Sequence, residues 1–315
     1  MHPLNRRRFF SAALGAWPAA TIALAQEDPP TFSVDSRLVV LHATVVNNKG
    51  QLVTTLPGNA FKVYENNVEQ PIKAVRREDV PVALGVIVDN SGSMRDKRAK
   101  VEAASVAMVK ASNRLDRVFV VNFNDEAYRD VDFTSDVKKM EEGIARIDSR
   151  GGTAFFDALS ASIDYVRQYG RLDKKVLMLV TDGADNASTS TLEKLLPKVH
   201  DSGVVVHVIG LLSQEEPREA KRAQRALKMI ADASGGLCFF PKELAEVETL
   251  ALQVAHDIRN QYVIQYSPVN QNLDGSFRAI KVTANGPNKP SVRTRSGYYA
   301  TAARQEPKKL SQATP

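Results

Sequence analysis

A continuous apolar run from Val82 to Val88, with the sequence VALGVIV, constrains the fold more than any other feature of the chain. A strand that is apolar at every position, rather than at alternate positions, is buried on both faces of a sheet. Similar runs follow at 117–123, 175–180 and 204–211. Stretches with helical periodicity separate these runs. Buried strands that alternate with helices predict an α/β fold with a doubly wound, mostly parallel sheet and helices on both faces.

The remaining elements of this α/β region are predicted from shorter patterns. Residues 128–133 alternate between polar and apolar side chains, which favours one antiparallel strand at the edge of the sheet. A short strand is predicted at 237–240. Helices are predicted at 96–115, 137–147, 155–169, 192–201, 218–233 and 244–260.

Two blocks with strand-like composition flank the α/β region. The first has strands predicted at 37–47, 61–65 and 72–76, and the second at 262–266, 277–284 and 291–299. Each block is too small to bury a core alone. We therefore expect the two blocks to pair into one small all-β sandwich, with the α/β domain inserted between them. The predicted boundaries are a linker at 26–36, sandwich segments at 37–80 and 261–300, an α/β domain at 81–260 and a disordered tail at 301–315.

Residues 1–25 have the three-part layout of a secretory signal. Three arginines, Arg6–Arg8, precede an apolar stretch that ends in Ala23-Leu24-Ala25. The arginines also resemble a twin-arginine export signal, although Asn5 departs from the usual Ser or Thr, so the general export route stays open. The alternative is an uncleaved membrane anchor. Cleavage predicts a periplasmic, extracellular or cell-surface protein with no stable membrane anchor.

Charge and cysteine content exclude several classes of function. The chain has 42 Lys and Arg against 36 Asp and Glu. Removal of the segment 1–25 takes away three arginines and no acidic residue, which leaves 39 against 36 and no argument for nucleic-acid binding. The single cysteine, Cys238, excludes an internal disulfide framework and a Cys-rich metal site. It lies in an apolar run and is interpreted as a core residue, with a reactive thiol as the alternative.

The chemistry of the chain is concentrated at three strand ends. Asp89, Ser91 and Ser93 directly follow the first buried strand, Thr153 follows two glycines, and Asp182 follows the strand at 175–180. Open α/β sheets bind ligands at the carboxyl ends of their strands. Two carboxylates and three hydroxyls form an all-oxygen set that suits a hard cation such as Mg²⁺, and the absence of His and Cys from these loops argues against zinc. The alternatives are helix capping by the first three residues and a plain turn at Asp182.

Several neighbouring residues receive secondary interpretations. Arg95, Lys97 and Arg98 form either a solvated helix start or a basic rim that steers acidic partners. Asp157 is interpreted as a helix-start charge and Asp185 as a loop residue. His207 lies inside a predicted strand and is interpreted as a buried histidine whose hydrogen bonds are satisfied. His42, His200 and His256 receive no role, because no metal-binding spacing joins them.

The order DNSGS, GGT and TDG at these strand ends resembles the metal-ion-dependent adhesion site of von Willebrand factor type A domains, over about residues 82–260. By that resemblance Ser91 and Ser93 bind Mg²⁺ or Mn²⁺ directly. Thr153 binds directly in a ligand-competent state, and Asp89 and Asp182 bind directly or through water. The flanking β blocks and the closing string TRSGYY resemble exported bacterial proteins of acidobacterial type with a single such domain.

These observations lead to three functional hypotheses. The first is an exported, non-enzymatic protein-binding module, for adhesion or assembly, whose Mg²⁺ accepts an Asp or Glu carboxylate from a partner protein. The second is a Mg²⁺-dependent hydrolase of phosphate esters that uses the same site. The third is a scaffold whose metal never exchanges. The site loops contain no evident pair of nucleophile and base, which favours binding over catalysis.

Overall fold

The computed structural model describes residues 38–77, 79–146 and 149–301. The predicted export signal, linker and residues 302–315 of the predicted tail lie outside this range. Fourteen strands run through the described residues: β1 (Val39–Val46), β2 (Phe61–Glu65), β3 (Val68–Gln70), β4 (Ile72–Arg76), β5 (Val82–Asp89), β6 (Arg117–Phe123), β7 (Ala127–Thr134), β8 (Lys174–Thr181), β9 (Val205–Gly210), β10 (Cys238–Phe239), β11 (Tyr262–Tyr266), β12 (Phe277–Ala284), β13 (Ser291–Arg293) and β14 (Gly297–Tyr299).

Six of these strands form a central sheet in the order β10-β9-β8-β5-β6-β7. All neighbouring pairs are parallel except β6 and β7, which are antiparallel. The edge strand β7 follows β6 after a tight turn, and such a short connection permits only an antiparallel pair. The predicted parallel sheet with one antiparallel edge strand is confirmed.

Helices cover both faces of the central sheet. In β5, Leu84, Val86 and Val88 belong to the core on one face, and Ala83 and Ile87 belong to the core on the other. This two-sided burial explains why the run VALGVIV has no polar residue. Helices α1, α2 and α6 pack on the first face, and α3, α4 and α5 pack on the second. Their bounds are α1 (Arg98–Lys110), α2 (Val137–Ile144), α3 (Phe155–Tyr169), α4 (Leu192–Ser202), α5 (Pro217–Ser234) and α6 (Glu246–Arg259).

The two flanking blocks form a sandwich of two four-stranded sheets. One sheet has the order β13-β1-β11-β4 and the other β14-β12-β2-β3, so each sheet combines strands from before and after the α/β region. Leu41, Val63, Ile264 and Tyr266 are fully buried between the sheets. The predicted pairing of the two blocks is confirmed by the antiparallel pairs β1–β11 and β2–β12.

Two details of the sandwich differ from the sequence prediction. The single strand predicted at 291–299 is two strands, because β13 pairs with β1 in one sheet and β14 pairs with β12 in the other. An additional strand, β3, forms a hairpin with β2. Its turn residues Asn66 and Asn67 both have positive φ, which asparagine tolerates and tight hairpins require.

Helix α1 is shorter than the predicted 96–115. It ends at Lys110, and the segment that follows is held by hydrogen bonds from its own polar side chains. Ser112 Oγ donates to Met108 O, and Asp116 Oδ2 accepts from Asn113 N. Such local side-chain bonds compete with a continuing helix. Among residues 38–77, 79–146 and 149–301, no helix has the length and apolar character needed to cross a membrane.

Candidate metal site

The candidate site lies at the carboxyl edge of the central sheet. Asp89 is the last residue of β5, and Asp182 directly follows the neighbouring strand β8. Both side chains are fully buried, as is Ser91, whereas Ser93 is exposed. Two buried carboxylates on adjacent parallel strands therefore lie next to a hydroxyl that faces solvent.

Asp89 is held by hydrogen bonds to both of its carboxylate oxygens. Ser91 N donates to Asp89 Oδ1 at 2.8 Å, and Thr181 Oγ1 donates to Asp89 Oδ2 at 2.6 Å. Burial and, to a smaller extent, the charge of Asp182 raise the pKa of this carboxyl group to about 6, against the opposing effect of the bonds from Ser91 and Thr181. The hydrogen bonds thus orient the carboxylate but do not fully offset the cost of burying its negative charge.

One carboxylate oxygen of Asp182 accepts a hydrogen bond from a hydroxyl group, and the other accepts one from an ammonium group. Ser93 Oγ donates to Asp182 Oδ1 at 2.9 Å, and Lys97 Nζ donates to Asp182 Oδ2 at 2.6 Å. The hydroxyls of Ser91 and Ser93 lie 3.2 Å apart. The predicted Asp and Ser residues therefore form one continuous polar cluster rather than separate helix caps.

Thr153 is brought to the same edge by the glycine loop before α3. Its side chain is buried, and its N–H donates to Asn186 Oδ1 at 2.8 Å. A methyl group added at Gly183 would lie 3.9 Å from Thr153 Oγ1, which places the hydroxyl beside the turn that carries Asp182. Gly151 O accepts a hydrogen bond from Gly92 N at 3.2 Å, so the two loops are also joined through their backbones.

Asp125 is a site-loop residue that sequence reasoning missed. Its Oδ1 accepts a hydrogen bond from Gly152 N at 2.7 Å. Gly151 has a φ of +72°, and a Cβ at this position would lie 2.0 Å from Asp125 Oδ2. The glycine is therefore required both for the backbone conformation and for the close approach of the carboxylate. The available signal was its place shortly after the buried strand β6, at the same sheet edge as Asp89.

The assembled donors fit a hard divalent cation. Asp89 and Asp182 supply carboxylate oxygens, and Ser91, Ser93 and Thr153 supply hydroxyls, which are ligand types that Mg²⁺ accepts. A buried carboxylate with a raised pKa is stabilised by a nearby cation. No cluster of three or more His, Cys, Asp or Glu with metal-binding geometry occurs in the part of the chain that the structure describes. The hydroxyls are thus essential members of the candidate set.

The three basic residues after the motif do not form one exposed rim. Lys97 and Arg98 are buried, and only Arg95 is exposed. Arg98 Nη2 donates to Asn122 Oδ1 at 2.8 Å, beneath the site loops, and Lys97 turns inward to Asp182. The expectation of a basic rim is wrong for these two residues, because buried acceptors at the sheet edge draw both side chains into the protein.

The acidic residues Asp157 and Asp185 lie where the sequence predicts, in the first turn of α3 and in the loop after β8. Asp185 Oδ2 accepts a hydrogen bond from Phe156 N at 2.8 Å and so satisfies the first turn of α3. Asp157 Oδ2 accepts from Thr189 N at 2.7 Å and fixes the loop after β8. Each carboxylate therefore stabilises the segment that carries the other.

The remaining interpretations concern His207 and Cys238. His207 is fully buried, its Nδ1 accepts a hydrogen bond from Leu237 N at 3.0 Å, and burial lowers its pKa to about 4. Its Nε2 has no hydrogen-bond partner among the described residues, so only one ring nitrogen is satisfied. Cys238 is half-buried against the core, and burial raises the pKa of its thiol to about 12.

Two solved structures resemble this chain. It resembles a von Willebrand factor type A protein from Catenulispora acidiphila, with 14% identity, coverage of 87% of this chain and 76% of that chain, and a TM-score of 0.48. It also resembles the PilB minor pilin from Streptococcus sanguinis, with 15% identity, coverage of 60% and 63%, and a TM-score of 0.48.

Sequence comparisons provide two further matches. The calcium-activated chloride channel regulator 1 of Equus caballus is 25% identical over 205 residues, which is 61% of this chain. The chain spans 21% of the length of that protein. The family model for the von Willebrand factor type A domain matches residues 84–184, a range that includes Asp89, Thr153 and Asp182. The matched residues lie within the central α/β region and include strands β5 to β8 in part or in full.

Proposed function

We propose that the chain is an exported, divalent-metal-dependent protein-binding module for adhesion or assembly. The single observation that carries this proposal is the convergence of two buried carboxylates and the hydroxyls of the Ser and Thr residues at one sheet edge. The residues that would hold Mg²⁺ or Mn²⁺ are Asp89, Ser91, Ser93, Thr153 and Asp182. The export part of the proposal rests on the sequence of residues 1–25.

The charges of the site support binding to an outside carboxylate. A divalent ion is neutralised by the two Asp carboxylates, and the ammonium group of Lys97 leaves the site with residual positive charge. When bound, the cation supplies an exchangeable coordination position for an oxygen donor. Ser93 is exposed, so this part of the site faces solvent. A partner protein that presents Asp or Glu fits this charge balance.

The hydrogen bonds of the site also favour binding over catalysis. Each Asp carboxylate is held by two donors, the hydroxyls of Ser91 and Ser93 are bonded to each other, and the hydroxyl of Ser93 donates to Asp182. The site loops contain no histidine to act as a general base, and we propose that the hydroxyls serve as ligands and orienting groups. We therefore propose a non-enzymatic role.

The first experiment measures metal binding directly. Isothermal titration of the dialysed protein with MgCl₂ and MnCl₂ is expected to show one saturable site that Asp89→Ala and Asp182→Ala each abolish. Asp232→Ala, at an exposed position on α5, is the matched control and is expected to bind as the wild type does. Equal metal binding by Asp89→Ala and wild type would refute the proposed ligand set.

The second experiment tests the partner and the hydrolase alternative. Capture from the native cell envelope is expected to retain a protein in Mg²⁺ and to lose it both in chelator and with Asp182→Ala. Retention that is unchanged in chelator contradicts metal dependence. Turnover of generic phosphate esters that requires Mg²⁺ and Asp89 contradicts the non-enzymatic role and supports the hydrolase instead.

A further inference from the structure

A second polar cavity lies at the opposite end of the central sheet, with a volume of about 1100 Å³. One wall is the outer face of the sandwich sheet, where His42 of β1, Val263 of β11 and Arg76 of β4 are cross-strand neighbours. The other wall is formed by the start of β8, at Lys174 and Lys175, and by the end of α3. We name this cavity the basal cleft.

The basal cleft is separate from the candidate metal site. Lys174 is the first residue of β8, whereas Asp182 directly follows the last. A strand rises roughly 3.3 Å per residue, so about 26 Å separates the two positions along β8. The lining of the basal cleft therefore includes none of the proposed metal ligands.

Basic side chains line both walls of the basal cleft. Arg76 lies on the sandwich wall, and Arg167 and Lys175 lie on the α/β wall. None of these three side chains forms an ion pair with another described residue. The lining also includes Lys174, Arg295 and two acidic residues, Asp173 and Asp201. Positive charge is therefore in excess, and cationic walls around a cavity concentrate anions.

His42 lies beside these basic side chains, and their charges act on its ring. Its ring lies in the cavity lining, and its buried Nδ1 has no hydrogen-bond partner within the described ranges. Burial, together with the charges of Lys174, Arg295 and Lys175, lowers the pKa of His42 to about 3.

The apolar part of the lining indicates an organic ligand. Leu38 and Val40 lie in the lining and are 47% and 39% exposed, so they present apolar surface to the cavity. Leu172 and Val263 add apolar surface next to the basic groups. Ligand pockets commonly combine such apolar walls with a few polar groups that set orientation.

We propose that the basal cleft binds a small organic anion with at least two carboxylate or phosphate groups. One anionic group pairs with Arg76 on the sandwich wall, and another pairs with Arg167 and Lys175 on the α/β wall. The carbon skeleton between them rests on Val40 and Val263. The shared chemistry is a multiply charged anion, and carboxylate and phosphate sources are separated by the probes.

The test titrates dialysed, metal-free protein with citrate and, separately, with inorganic pyrophosphate at constant ionic strength. We expect saturable binding of at least one probe, weakened at least tenfold by Arg76→Gln and by Lys175→Gln. Arg222→Gln, an exposed position on α5, is the matched control and is expected to have no effect. Binding of citrate, with or without pyrophosphate, supports the proposal, whereas binding of pyrophosphate alone contradicts the carbon skeleton placed on Val40 and Val263.

Two further measurements determine where the probe binds. The imidazole NMR resonances of His42 are expected to shift on titration with the bound probe, because its ring lines the cleft. Asp182→Ala is expected to bind the probe as the wild type does, which separates this site from the metal site. Absence of saturable binding to both probes overturns the proposal, as does equal weakening by Arg222→Gln and Arg76→Gln.

Discussion

The Lys97→Met substitution tests whether Lys97 compensates the charge of Asp182 in the metal-free protein. It removes the ammonium group that lies 2.6 Å from Asp182 Oδ2 and keeps most of the aliphatic chain. The side chains of Lys97 and Asp182 are 5% and 0% exposed, so water does not replace the lost charge. Loss of one partner from a buried ion pair costs about 3–5 kcal/mol.

This cost is expected to depend on metal. In chelator, the free energy of unfolding of Lys97→Met falls by about 3–5 kcal/mol, which lowers Tm by about 10 °C in a protein of this size. In saturating Mg²⁺, a bound cation compensates Asp182 and most of the loss is recovered. Recovery of about 3 kcal/mol corresponds to metal binding about 100-fold tighter than in the wild type. In the wild type, Lys97 would compete with a bound metal for Asp182.

Thermal melts in chelator and in Mg²⁺ measure the change in stability. Isothermal titration of each protein measures the change in Mg²⁺ affinity. Lys100→Met is the matched control, because Lys100 is exposed on the same helix, and it is expected to behave as the wild type. The reasoning is refuted if metal-free Lys97→Met is as stable as the wild type. It is also refuted if Mg²⁺ affinity is unchanged despite a loss of stability.

Three other predictions concern single side chains. Because burial raises the pKa of Asp89 to about 6 in the folded protein, from its ordinary 3.8, protonation favours the folded state. In chelator, the free energy of unfolding of the wild type should increase by about 2 kcal/mol relative to that of Asp89→Asn as the pH falls from 7 to 4. Parallel pH profiles of the two proteins in urea unfolding would contradict this. The thiol of Cys238 has a pKa of about 12 in the folded protein, so at pH 8 it should react with a thiol reagent far more slowly than in the urea-unfolded protein. Equal rates in the two states would show an accessible thiolate. Gly151→Ala should lower Tm and weaken Mg²⁺ binding, because the new methyl group meets Asp125; unchanged melting and titration would show that the loop absorbs it.

Much of the fold and the position of the candidate site follow from the sequence. The run from Val82 to Val88 has no polar residue because alternate side chains enter the cores on both faces of the sheet. A strand of this kind ends where polar residues begin, so Asp89 and Asp182 had to emerge at the same edge of a parallel sheet. The pattern of hydrophobic residues carries this information because burial acts on every residue of an element.

Only the tertiary structure decided which way individual polar side chains turn. Lys97 and Arg98 belong to a sequence typical of an exposed helix start, yet both are buried against acceptors from distant strands and loops. The role of Asp125 depends on its approach to Gly152, and the basal cleft exists because sandwich strands lie across from the start of β8. Local sequence determines which residues form strands and helices, because periodicity is a local property. Side-chain partners are set by elements far apart in the chain, because hydrogen bonds and ion pairs act over a few ångströms.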